Sequence, residues 1–101
     1  MVQAGTYSAV LQYLKAVQAA GTIEGPVVAE AMRGMRVSDF DVEDAPIRAD
    51  GQVMRPMHLA RVRSPDTSRD RNDIFEILET IPGENAWRPA AESACPLLRP
   101  A

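Results

Sequence analysis

The rhythm of hydrophobic and polar positions changes three times along the chain, and each change marks an element. Tyr7, Val10, Leu11, Leu14 and Val17 recur at i, i+3, i+4, i+7 and i+10, the stripe of an amphipathic helix that turns this face to a core. Ser8, Gln12, Lys15 and Gln18 form a narrower polar stripe. Ala9, Ala16, Ala19 and Ala20 add helix propensity and room for a close neighbour. Thr6 is placed to cap this helix and Gly21 to stop it. A second helix is predicted from Pro26, in its first turn, to about Arg33, with Gly34 ending it. Its buried face is Val27 or Val28, Ala31 and Met32, and the linker "GTIEG" makes the pair a helical hairpin.

From "MRVSDFDVEDAPIRADG" onward the helical period is lost. Phe40, Val42 and Ile47 are the expected anchors of an irregular or short-strand connector, and "ADG" is a turn signal. The third rhythm is alternation. In "QVMRPMHLARVRS" Met57 and Leu59 share one face and Ala60 and Val62 the other, and Pro56 confines the start to an edge or bulge. In "DIFEILETI", Phe75, Ile77 and Ile81 alternate with Glu76, Leu78 and Thr80, which reads as a half-buried strand. These two strands form an antiparallel hairpin across the polar loop "SPDTSRDRN". The Pro-rich end "IPGENAWRPAAESACPLLRPA" is an irregular tail pinned by Trp87 and Leu97. The order of elements gives an α+β class, with two helices, a strand pair and a tail in one segment, residues 1–101.

Composition narrows the function. At 101 residues, 46% apolar and 25% charged, the chain has the content of a small globular unit rather than of a disordered one. Fourteen acidic residues outnumber eleven basic ones, which form no cluster, so no nucleic-acid partner is expected. No apolar run approaches membrane-spanning length. Cys95 is the single cysteine, excluding an internal disulfide and any CxxC site. No signal-peptide pattern opens the sequence, so a start at Met1 implies a cytoplasmic chain.

Candidate chemistry is sparse. His58 lies mid-strand without a nucleophile motif, and a structural or surface role is the favoured reading. Cys95 has no neighbouring base and reads as an inert thiol or half of a disulfide whose partner lies elsewhere, rather than as a nucleophile. The acidic set Asp39, Asp41, Glu43 and Asp44 fails the calcium-loop spacing, because Asp44 and Asp50 stand where that loop needs Gly and Glu. It reads as a solvated connector. Glu76 and Glu79, three apart, should fall on opposite strand faces and not pair as acid and base. No catalytic residue, metal site or cofactor is therefore assigned, and the chain reads as non-catalytic. The one binding signal is the start of the first helix around Ala4, Gly5, Thr6 and Tyr7, where free amides and the helix dipole favour an anionic group.

Three segments in fixed order, "AGTYSAVLQYLKAVQAAGT", "IRADGQVMRPMHLARV" and "TIPGENAWRPAAESACPL", resemble the C-terminal quarter to third of periplasmic solute-binding proteins of the leucine/isoleucine/valine type. Tyr7 at the helix start, the turn at Arg48, Asp50 and Gly51, and the tail carry the likeness. The resemblance implies part of a two-lobe α/β binding protein that closes on a ligand by a hinge motion. Helices would belong to one lobe, strands would approach the hinge, and the tail would return to the other lobe. It also implies an amino acid or small organic acid as ligand, a membrane permease of an ABC importer as partner, and a periplasmic location for the full-length protein. Gln3, Ala4, Gly5 and Tyr7 are the implied ligand-binding residues, with the residues before Tyr7 forming a cleft-lining loop. Amino-acid binders of the family can carry an aromatic near Ala4, and that contact is lost here. A different reading rests on the thin core and open strand edges: a self-associating module without a ligand.

Overall fold

Two compact units organise the chain, residues 2–54 with 89–98, and residues 55–88. The computed structural model describes residues 2–98, with the Leu97 side chain, expected above to pin the tail, outside the described set.

In the first unit, α1 (Val2–Ala20) packs on α2 (Gly25–Arg33). Gly21, at φ +67°, ends α1 with its amide on the Val17 carbonyl at 2.9 Å, a left-handed turn that suits glycine. In α2, Pro26 opens the first turn, Gly34 caps the end, Val28 is buried and Ala31 and Met32 are half-buried, as the pattern predicts. α1 differs from expectation twice. It starts at Val2, so Thr6 is helical rather than a cap, and the residues before Tyr7 form a helical turn rather than a loop. More consequentially, its buried residues are Ser8, Gln12 and Ala16, whereas Tyr7 is 58%, Val10 53% and Leu14 56% exposed. Leu11 and Val17 are half-buried. The i, i+4, i+8 row of short or slender side chains lets a neighbour approach closely, and Ser8 adds a hydrogen bond to the connector. The apolar stripe is left facing outward.

The connector is more ordered than its sequence suggests. β1 (Arg36–Val37) pairs antiparallel with β2 (Ala45–Pro46), and an isolated bridge joins Ile47 to Val53. Val37, Val42 and Ala45 form a buried cluster against which Ile47 and Val53 pack. Val42 and Ile47 are thus anchors as expected, while Phe40 is 69% exposed.

In the second unit, β3 (Met57–Val62) and β4 (Phe75–Ile81) form the predicted antiparallel hairpin. Register runs from Met57 opposite Ile81 to Val62 opposite Phe75, with a bulge at Leu59/Ala60 that leaves Leu78 unmatched. The bulge resets the alternation. Glu79 opposes Leu59 and Glu76 opposes Arg61, so the two glutamates share a face, contrary to the spacing argument. Phe75, Ile77, Leu78, Leu59 and Val62 are each more than half exposed, so β4 is not the half-buried strand expected. What closes this unit is polar. Arg61 pairs with Glu76 at 2.7 Å, Arg63 lies 3.2 Å from Asp73, and Trp87 donates its indole N–H to the Arg55 carbonyl at 2.8 Å. The Arg63–Asp73 approach is an ion pair without hydrogen-bond alignment at Nε. The tail contains a one-turn helix, α3 (Gly83–Ala86), and Trp87 pins it to the start of β3 as predicted.

Candidate functional site

The implied ligand residues all sit in the first two turns of α1, yet the helix sorts them onto different sides. Gln3 and Tyr7, four apart, share the outward face, with half-buried Ala4 at its edge. Gly5 lies on the inward side, in the row continued by Ser8, Gln12 and Ala16. A Cβ built on Gly5 would meet no described atom within 4 Å, so nothing described here requires its smallness. Because α1 begins at Val2, the amides of Thr6 and Tyr7 are spent on intrahelical bonds. The dipole end expected around Ala4 to Tyr7 is therefore shifted toward Val2.

What the sequence did not reveal is the partner of Tyr7. Its ring meets Phe40 edge to face, with centroids 5.3 Å apart and planes at 69°, a favoured aromatic geometry. Both rings are mostly exposed and form a ledge at the amino end of α1. Asp39, next to Phe40, fixes the ledge. Its Oδ2 accepts from the Ser8 hydroxyl at 2.5 Å, and its Oδ1 accepts from the amides of Asp41 and Val42 at 2.9 and 3.2 Å. The readable signal was Asp39 itself, an aspartate whose side chain can take amides two and three residues on. Phe40 gave none, since an exposed aromatic and a core aromatic look alike in sequence.

The other acidic residues of the connector have their own tasks. Arg36 clamps Asp44 through its guanidinium, donating to the carboxylate and, at 2.7 Å, to the Asp44 carbonyl. The Asp44 amide donates to Ser38 Oγ at 3.0 Å, and together these hold Asp44 at φ +54°, where non-glycine residues are uncommon. The hydrogen bonds from Arg36 keep the Asp44 carboxyl below its usual range. In the "R-x-DG" turn Arg48 grips Asp50 bidentately at 2.9 and 2.6 Å, while the Gly51 amide returns to the Arg48 carbonyl at 2.8 Å. The Arg48 side chain, helped by the Gln52 amide, lowers the Asp50 carboxyl to about 2.

On the hairpin, His58 Nδ1 lies 2.9 Å from Thr80 Oγ1, a cross-strand pair on an exposed face. Cys95 is an exposed free thiol. Among the described residues no group of three His, Cys, Asp or Glu side chains could hold a metal ion. No helix among them is long and apolar enough to cross a membrane. The site's features are thus an aromatic ledge and, beside it, a carboxylate already held by a hydroxyl and two amides.

A family model described as periplasmic binding protein matches residues 1–69. The chain is similar to a periplasmic binding protein from Burkholderia mallei, at 38% identity and a TM-score of 0.88. It is likewise similar to a branched-chain amino acid ABC transporter periplasmic ligand-binding protein from Burkholderia xenovorans LB400, at 34% identity and a TM-score of 0.86. Each likeness covers 96% of this chain and 26% of the other, so the chain spans about a quarter of the length of the solved proteins it matches. A search of curated proteins finds no match.

Proposed function

The chain belongs to the periplasmic binding protein family, and we propose that it is the C-terminal part of a solute receptor of an ABC importer. In that setting it helps bind an amino acid or small organic acid and passes it to a membrane permease from the periplasm, without catalysis. The observation that carries this reading is the 34% likeness, over 96% of the chain, to a branched-chain amino acid ligand-binding protein. The ledge of Tyr7 and Phe40, with Gln3 and Ala4 on the same side of α1, is the surface offered to the ligand, and Gly5 shapes the opposite side of that turn. An aromatic ledge buries aliphatic or ring carbon of such a ligand.

The test is a chimera in which this chain replaces the matching quarter of the Burkholderia xenovorans protein. Calorimetry with leucine, isoleucine and valine should show binding, and Tyr7→Ala in the chimera should weaken it about tenfold, ~1.4 kcal/mol. A folded chimera that binds none of these ligands, nor small organic acids, would overturn the proposal.

A further inference from the structure

We infer that Arg48 guards a chemically labile link, Asp50–Gly51, and that position 50 becomes an isoaspartate site wherever that clamp is released. Gly51 stands at φ +84°, a left-handed conformation that strains any residue with a side chain, so the turn needs glycine after Asp50. The same glycine leaves the amide that follows the aspartate with no side chain to shield it. In that setting the Gly51 nitrogen can attack the side-chain carbonyl carbon of Asp50. A C–N bond forms, the C–OH bond breaks, and the hydroxyl leaves with the amide proton as water, giving a five-membered imide. Water then opens the imide at either carbonyl and yields aspartate or isoaspartate, whose main chain is one carbon longer. No reactant other than water is needed.

The turn opposes that closure in three ways. Arg48 Nε and Nη2 hold the two carboxylate oxygens at 2.9 and 2.6 Å, and the Gln52 amide donates to Oδ1 at 3.1 Å, so the side chain cannot swing onto the Gly51 nitrogen. That nitrogen is itself engaged, donating to the Arg48 carbonyl at 2.8 Å. The Arg48 and Asp50 side chains are only 23% and 17% exposed, so solvent and salt loosen the pair little. The clamp also keeps the carboxyl ionised, and a carboxylate has no hydroxyl to lose. At pH 5 an ordinary aspartate is about 7% in the acid form, whereas Asp50, lowered to about 2, is about 0.1%. What the clamp preserves is the small core. Ile47 and Val53, paired across this turn, pack against Val37, Val42 and Ala45. An extra main-chain carbon between them would shift their pairing and loosen the cluster.

Ageing tests it. The parent chain, Arg48→Met and a free peptide of residues 46–54 are incubated at pH 5. Isoaspartate is read by enzymatic methylation of its carboxyl and located by mass spectrometry of the fragment holding position 50. The peptide should convert at least about tenfold faster than the parent, because a clamped side chain reacts only when its turn opens. Arg48→Met should close most of that gap, and its aged fraction should unfold at lower urea than its fresh one. A parent as fast as the peptide overturns the inference, and so does an Arg48→Met chain as slow as the parent. Should Arg48→Met loosen the whole connector, seen as quicker hydrogen exchange at Val37 and Val42, the pH profile of the parent decides. Its conversion should keep rising to lower pH than the peptide's, and coincident profiles overturn the inference.

Discussion

The helical unit and the hairpin unit handle the same shortage of buried carbon in different ways. Residues 2–54 gather Val28, Val37, Val42, Ala45 and Ala16 into side chains almost withdrawn from solvent. Among the described residues, 55–88 bury no large apolar side chain and hold together by the strand ladder and polar contacts, among them the Arg61–Glu76 and Arg63–Asp73 ion pairs, the His58–Thr80 pair and the Trp87 hydrogen bond to Arg55. The difference teaches where each unit is vulnerable. The first fails when its small core is disturbed, and the second when a directional bond is lost, since an exposed ion pair such as Arg61–Glu76 adds little.

The sharpest way to break the contrast is a charge in the helical core. Val28→Asp, at a site 2% exposed, should cost about 4 kcal/mol or more, because a carboxylate would be buried unpaired. Urea titration followed by circular dichroism should show the helical signal collapsing, and an unchanged midpoint would refute the assignment of that core. A gain should come from Gln12, which is 3% exposed with neither amide atom partnered within the described structure. Gln12→Met should raise stability by about 1–2 kcal/mol, since an unpaired buried amide is replaced by a side chain of similar shape. A loss in the same titration would show that the amide has a partner, such as a bridging water.

For the hairpin, Trp87→Phe removes the bond to the Arg55 carbonyl and should cost about 1 kcal/mol. Hydrogen exchange should quicken in β3 and β4 while α1 stays protected. Equal acceleration in α1 would mean that the two units open as one. The smallest effect is pH. Asp50, lowered to about 2 by Arg48, contributes stability that is complete above its unfolded value of about 4 and is lost as pH falls through about 2. Thermal melts from pH 5 to pH 2 should therefore fall less steeply in Asp50→Asn than in the parent, and parallel slopes would sink the assignment.

Much of this arrangement was legible in the residues. Pro26, Gly34 and Gly21 bounded the helices, alternation marked both strands, and Trp87 was placed as the anchor of the tail. The buried face of α1 was not legible for a physical reason. Periodicity tells which face of a helix needs covering but not whether the covering polypeptide lies in the same segment. Ser8, Gln12 and Ala16 were passed over because their burial depends on shape and on Asp39, thirty-one residues from Ser8, rather than on hydrophobicity. Of the candidate site, Gln3 and Ala4 were expected in a loop before the helix and stand within it, while Phe40, expected as an anchor of the connector, is mostly exposed. The bulge in β4 left no trace in composition, so the face shared by Glu76 and Glu79 was assigned wrongly.

That bulge has a consequence for how the hairpin tolerates change. Leu78 is the residue of β4 that opposes no residue of β3. Excising it would preserve every cross-strand partnership, from Met57 with Ile81 to Val62 with Phe75, and would only straighten the ribbon. Strand parity, which ordinarily makes a one-residue deletion invert everything beyond it, is here already compensated. The hairpin thus carries one spare unit of length, and what that unit supplies is curvature.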